Sequence, residues 1–149
     1  MSFNLKRFAV VLGLLLFLSG VGLFASLGYF NRTWADDWCY DADFKTLGFL
    51  ETMRGYSYNT TYTPSRYSVT IFAGLIQAFR VVGLQLMTPL TVIFWVAGFA
   101  YLFYNIAGMA GFRLSKWLAL LPASAIVYFS IYLSPHIYQS LYCRTGMLT

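Results

Sequence analysis

Long apolar stretches separated by short polar ones set the first expectation for this chain. Residues 8–30 carry no charge, and about 23 apolar positions are enough to cross a hydrocarbon core of about 30 Å. Residues 67–86, 88–112 and 117–133 form three further apolar segments. Arg80 interrupts the first of these near its far end, where an arginine can snorkel to the headgroups. Pro89 stands near the start of the next, where proline is tolerated, and Pro135 ends the last. The pattern predicts an all-α, polytopic transmembrane bundle with about four spans, forming one transmembrane region over residues 1–149.

Residues 31–66 are the one long polar segment, predicted to be an external loop. Trp34, Trp38, Tyr40, Tyr56, Tyr58 and Tyr62 lie in it, and such amphipathic rings favour the headgroup layer. Residues 41–54 predict a short helix lying on the bilayer, because Phe44, Leu47, Leu50 and Met53 recur every third position. Asp41 suits its start, Arg54 its last turn, and Gly55 a left-handed residue just past its end. Residues 56–64 are rich in Tyr, Thr, Ser and Asn and predict irregular chain. Asn31-Arg-Thr and Asn59-Thr-Thr match the short glycosylation sequon.

Composition strengthens the membrane reading. The chain is 59% hydrophobic and 20% aromatic, with 10% charged residues, whereas a soluble domain carries about 25% charged residues on a surface that faces water. The net charge of +5 comes from scattered basic residues that form no stripe or patch, so nucleic acid is not an expected partner and the lipid bilayer is. Lys6 and Arg7 precede the first span as a positive-inside anchor, predicting a cytoplasmic N-terminus in the inner membrane. A cleaved signal peptide would need a small-x-small site after a shorter apolar run, and Phe30-Asn-Arg-Thr-Trp offers none. Cys39 and Cys143 lack the paired spacing of a zinc or redox motif and read as free thiols.

One conflict follows from counting passages. Four crossings from a cytoplasmic N-terminus put Arg113 and Lys116 outside and residues 136–149 inside, against the positive-inside preference. Either the preference fails here or a middle segment does not fully cross. The sequence stops at Arg144-Thr-Gly-Met-Leu-Thr149 with no polar tail, so an N-terminal piece of a longer protein is expected.

Candidate chemistry gathers in the polar segment. All five acidic residues (Asp36, Asp37, Asp41, Asp43 and Glu51) fall within 16 positions of one another there, counting from 36 to 51. Carboxylates are costly where water is scarce, so this confinement marks the place where polar chemistry is feasible. A carboxylate just outside a membrane, flanked by Trp34 and Trp38, can have a raised pKa and serve as a general base toward an acceptor hydroxyl. Adjacent side chains point apart, so Asp36 and Asp37 would divide their roles: one faces the reaction, the other orients a loop or a divalent metal. Aspartate is equally at home as a helix cap or in a solvated turn.

Arg66 closes the loop at the mouth of the second apolar segment, where a guanidinium could clamp a phosphate or simply anchor a helix. His136, after Pro135, has no partner spacing for a metal site. The sequence holds no nucleotide-binding glycine loop, nucleophile elbow or zinc motif.

The order of elements resembles the N-terminal part of the bacterial GT-C-fold membrane glycosyltransferases. The likeness rests on a basic start, one span, a loop opening with Asp36-Asp37-Trp38, Arg66 before the second segment, and closely spaced apolar helices. Thr63-Pro-Ser-Arg66 resembles the Gly-Arg that ends the first loop of that family, and Tyr142-Cys-Arg-Thr-Gly146 resembles its Tyr-Trp-x-x-Gly stretch. Ser65 and Cys143 depart from those patterns, and full members carry many more spans.

The resemblance implies transfer of a sugar from a polyprenyl-phosphate donor to a cell-surface acceptor. It also implies a catalytic acidic residue at Asp36 or Asp37. Arg66 would then bind the donor phosphate, with His136 and Arg144 as further candidates. The rival reading is a small non-enzymatic four-helix membrane protein, such as a lipid-linked-sugar flippase or an accessory subunit. Against it, Arg80, Gln77, Gln85 and Asn105 are too few intramembrane polar groups to outline a transport path.

Overall fold

The computed structural model describes residues 2–31, 36–58, 67–137 and 141–142. It divides into two compact units, one of Met1–Leu27 with Pro89–Pro135 and one of Gly28–Thr88 with His136–Thr149. Among the described residues the secondary structure is helical throughout. The helices are α1 (Ser2–Leu27), α2 (Asp36–Thr46), α3 (Phe49–Tyr58), α4 (Tyr67–Ala78), α5 (Arg80–Met109) and α6 (Lys116–Tyr132), with a short 3-10 turn at Gly28–Phe30.

Two stretches, Leu5–Phe30 and Val81–Met109, are long and apolar enough to cross a membrane. A core helix of a soluble protein would be mostly buried, yet only 11% and 22% of these two spans are buried. Their apolar surfaces therefore face outward, which favours a membrane protein. The third apolar helix, α6, has 17 residues and α4 has 12. At about 1.5 Å per residue, α4 reaches about 18 Å, well short of a core of about 30 Å.

In the first unit α1 and α6 pack side by side and run in the same direction. Phe17 lies 5.8 Å from Tyr128 and 5.7 Å from Phe129, ring centre to ring centre, and Phe24 lies 6.0 Å from Tyr128. Nearer their beginnings, Lys6 and Arg7 share a groove with Ser115 and Trp117. Both helices thus start at the same end. The buried side of α6 is made of Ala119, Ala123, Ser124, Val127 and Ile131. The small side chains of Ala119 and Ala123, four positions apart, let helix backbones approach closely where lipid supplies no hydrophobic drive. On α1, Gly20 leaves room for the Tyr128 ring, which would lie 2.6 Å from an added Cβ. Ser115 caps α6 by accepting a bond from the Leu118 N–H, at 3.3 Å.

In the second unit α2, α3 and α4 pack on one another. Tyr40 and Ala73 form the buried centre, with Phe44 packed against it. Phe44 and Phe49 stack with ring centres 6.0 Å apart.

The structure redraws several sequence expectations. The single helix over 41–54 is two helices, starting earlier and ending later, because Gly48 sits at φ 79° between them. That left-handed conformation interrupts helical bonding and favours glycine. Gly55 is inside α3 and caps nothing, and residues 56–58 are helical where irregular chain was expected. Of the expected apolar positions, Leu47 and Leu50 are exposed together with Trp38, whereas Phe44 packs against the buried Tyr40 and Ala73.

The boundary between the second and third apolar segments moves as well. The chain turns at Phe79, whose N–H donates to the Ile76 carbonyl at 3.1 Å. Gly83 passes so close to that carbonyl that an added Cβ would be 2.5 Å from its oxygen. From Arg80 onward the chain is one 30-residue helix with Pro89 inside it, where Pro89 withholds one backbone N–H from the helical ladder.

Candidate functional site

The acidic segment falls in the second unit, directly after the first apolar helix. Asp36 and Asp37 are the first two residues of α2. Carboxylates near a helix start offset the exposed backbone N–H groups and the positive end of the helix dipole, which explains locally why the helix begins there. Asp41 and Asp43 continue α2, and Glu51 lies in α3. Glu51 accepts from Arg54 at 2.6 Å across one turn, an exposed pair that adds little stability. The predicted terminal role of Arg54 thus becomes a mid-helix pairing.

Of the other candidates, Arg66 and Arg144 lie outside the described residues, as do Cys143 and the Asn59 sequon. His136 is exposed just beyond α6, and Cys39 is an exposed free thiol. Among the described residues no three His, Cys, Asp or Glu side chains gather as a metal site requires. Of the five candidates, Asp36, Asp37 and His136 fall among the described residues. What they establish is the backbone placement of Asp36 and Asp37 at the head of α2, on a helix anchored through Tyr40 and Phe44.

Close by lies a polar cluster that sequence reasoning passed over. Asn31 is 2% exposed and Thr88 0% exposed. The Asn31 amide donates from Nδ2 to Thr88 Oγ1 at 2.8 Å and to the Leu84 carbonyl at 3.2 Å. Thr88 in turn donates its hydroxyl proton to the Leu141 carbonyl at 2.8 Å. Three chain segments remote in sequence are tied through two side chains. Asn31 is thus committed to internal bonding. The available signal was that a polar residue at the end of an uncharged run needs a partner, and Thr88 stands in an otherwise apolar stretch.

Tyr142 follows Leu141, and burial pushes its hydroxyl above the ordinary value of 10.0 by penalising the charged form. It stays neutral at physiological pH and able to donate a hydrogen bond. Thr52 is buried in α3, and its Oγ1 has no hydrogen-bond partner among the described residues.

No family model, no curated protein and no solved structure matches this chain.

Proposed function

We propose that this chain is part of a membrane glycosyltransferase that moves a sugar from a polyprenyl-phosphate donor to an acceptor outside the cytoplasm. The observation that carries the reading is the confinement of every carboxylate to α2 and α3, immediately beyond the apolar stretch Leu5–Phe30. The exposed Trp38, Leu47 and Leu50 on the same two helices suit the headgroup layer, where an amphiphilic donor presents its phosphate.

In the proposed reaction Asp36 or Asp37 takes the proton of the acceptor hydroxyl as its oxygen attacks the anomeric carbon. The bond from that carbon to the phosphate oxygen breaks, the configuration inverts, and polyprenyl phosphate departs with the bonding electrons. Arg66 stabilises the charge on the departing phosphate. His136 and Arg144 are further candidates on the same side of the membrane.

The orientation we propose rests on the lengths and courses of the helices. With α4 too short to cross, α1, α5 and α6 make three passages from a cytoplasmic N-terminus in the inner membrane. Lys6, Arg7, Arg113 and Lys116 then share the cytoplasmic side, in keeping with the positive-inside preference and with the parallel course of α1 and α6. Residues from His136 onward fall on the side of the acidic segment, consistent with the bonds that link Asn31, Thr88 and Leu141.

Donor binding tests the reading. The chain in nanodiscs is titrated with polyprenyl-phosphate sugars, wild type beside Asp37→Asn and Arg66→Ala. Wild-type binding that weakens at least several-fold in Arg66→Ala and survives in Asp37→Asn supports it. A helical, well-folded wild type that binds no such donor counts against it.

A further inference from the structure

The groove between the beginnings of α1 and α6 is chemically divided. It has a volume of about 920 Å³, and its walls are almost wholly apolar, with Leu14 and Leu18 from α1 facing Trp117 and Leu118 from α6. Polar groups enter at one end only, as Lys6 and Arg7 of α1 and Ser115 ahead of α6. The Ser115 oxygen accepts from the Leu118 N–H, so its own O–H proton remains to be donated. Two cations and a hydroxyl donor at the mouth of an apolar channel complement an anionic head attached to a hydrocarbon chain.

We propose that this groove is a binding site for an anionic glycerophospholipid. Its phosphate sits at Lys6, Arg7 and Ser115, and an acyl chain runs past Trp117 along Leu14 and Leu18. The site involves neither the acidic segment nor Arg66, so it stands or falls independently of the proposed transfer reaction. Each basic residue near an anionic lipid surface contributes on a scale that corresponds to about a fivefold preference. The pair is expected to give a selectivity of roughly twentyfold over a zwitterionic lipid.

Trp117 lines the groove and can report its occupancy. The full chain carrying Trp34→Phe, Trp38→Phe and Trp95→Phe is reconstituted in nanodiscs containing brominated phosphatidylglycerol or brominated phosphatidylcholine, and quenching of Trp117 is followed against mole fraction. The expected result is quenching by phosphatidylglycerol at a mole fraction many-fold lower than by phosphatidylcholine. That preference should be lost in Lys6→Gln/Arg7→Gln and kept in Lys6→Arg/Arg7→Lys. Equal quenching by the two lipids, or selectivity that outlives the charges, overturns the proposal. So does displacement by polyprenyl phosphate at a lower mole fraction than phosphatidylglycerol requires. Native mass spectrometry of the unmodified chain, counting phosphatidylglycerol against phosphatidylcholine retained, decides the same question should the tryptophan variant lose its helicity.

Discussion

The Asn31 amide nitrogen lies 2.8 Å from the Thr88 hydroxyl oxygen, and that hydroxyl lies 2.8 Å from the Leu141 carbonyl. Both side chains are sealed from solvent, so breaking either bond strands a polar group with no water to replace the partner. Asn31→Ala and Thr88→Val are each expected to cost about 1–3 kcal/mol. The double variant should cost less than their sum by about 0.5 kcal/mol or more, since the residues share a bond. Thermal unfolding of the four proteins in one detergent measures this cycle, and strict additivity would show that the bond does not form.

Gly48 separates α2 from α3 at φ 79°. Gly48→Ala is expected to destabilise by about 1 kcal/mol, because a Cβ is strained in that region. Gly48→Asn should cost less and Gly48→Val more, following the tolerance of each side chain for left-handed backbone. Stabilisation by Gly48→Ala, the response of a glycine inside a continuous helix, would mean that residues 41–54 form one helix after all.

The common direction of α1 and α6 is open to cross-linking. With Cys39 and Cys143 replaced by serine, Gly13→Cys and Leu121→Cys should be bridged by a short thiol cross-linker, since a Cβ at Gly13 would lie 2.9 Å from Leu121 Cδ1. Lys6→Cys with Leu133→Cys should not, because those residues belong to opposite ends of the pair. Reversal of this pattern would mean antiparallel helices and would undo the proposed three-passage topology.

Tyr142 predicts an alkaline limit. Burial raises its pKa above 10.0, so the folded state binds this proton more tightly than the unfolded chain does. The resulting stability is fully present below about pH 10 and is lost as pH rises through the raised folded value. Tyr142→Phe has no proton to lose there, so its stability should fall less steeply with alkaline pH. Identical slopes in wild type and variant would show that the phenol is solvated.

The helices legible in the sequence are those bounded by local chemistry. Residues 8–30 and 117–133 correspond to α1 and α6, whose edges are marked by basic residues or proline, and α6 continues through Pro122. The turn at Phe79 was not legible, since neither that residue nor its neighbours carry a breaker. It depends on the close passage of Gly83 past the Ile76 carbonyl, a contact made only in the folded chain. The three-residue spacing of Phe44, Leu47, Leu50 and Met53 suggested one helical face, but the series runs across the break at Gly48 and so belongs to two helices. For the candidate site, the acidic cluster was plain from where charges fall. The Asn31 and Thr88 pairing was hidden, because partners 57 residues apart leave no periodic trace.

The shortness of α2 and α3 sets an order of events during synthesis. They have 11 and 10 residues, below the length of about 12–15 at which isolated helices hold together in water. Their support comes from α4, which follows them in the chain. The acidic residues therefore leave the ribosome before the element that orders them exists. Their arrangement is completed only when residues 67–78 arrive, so a nascent chain halted before that point would carry every carboxylate without a stable α2 or α3.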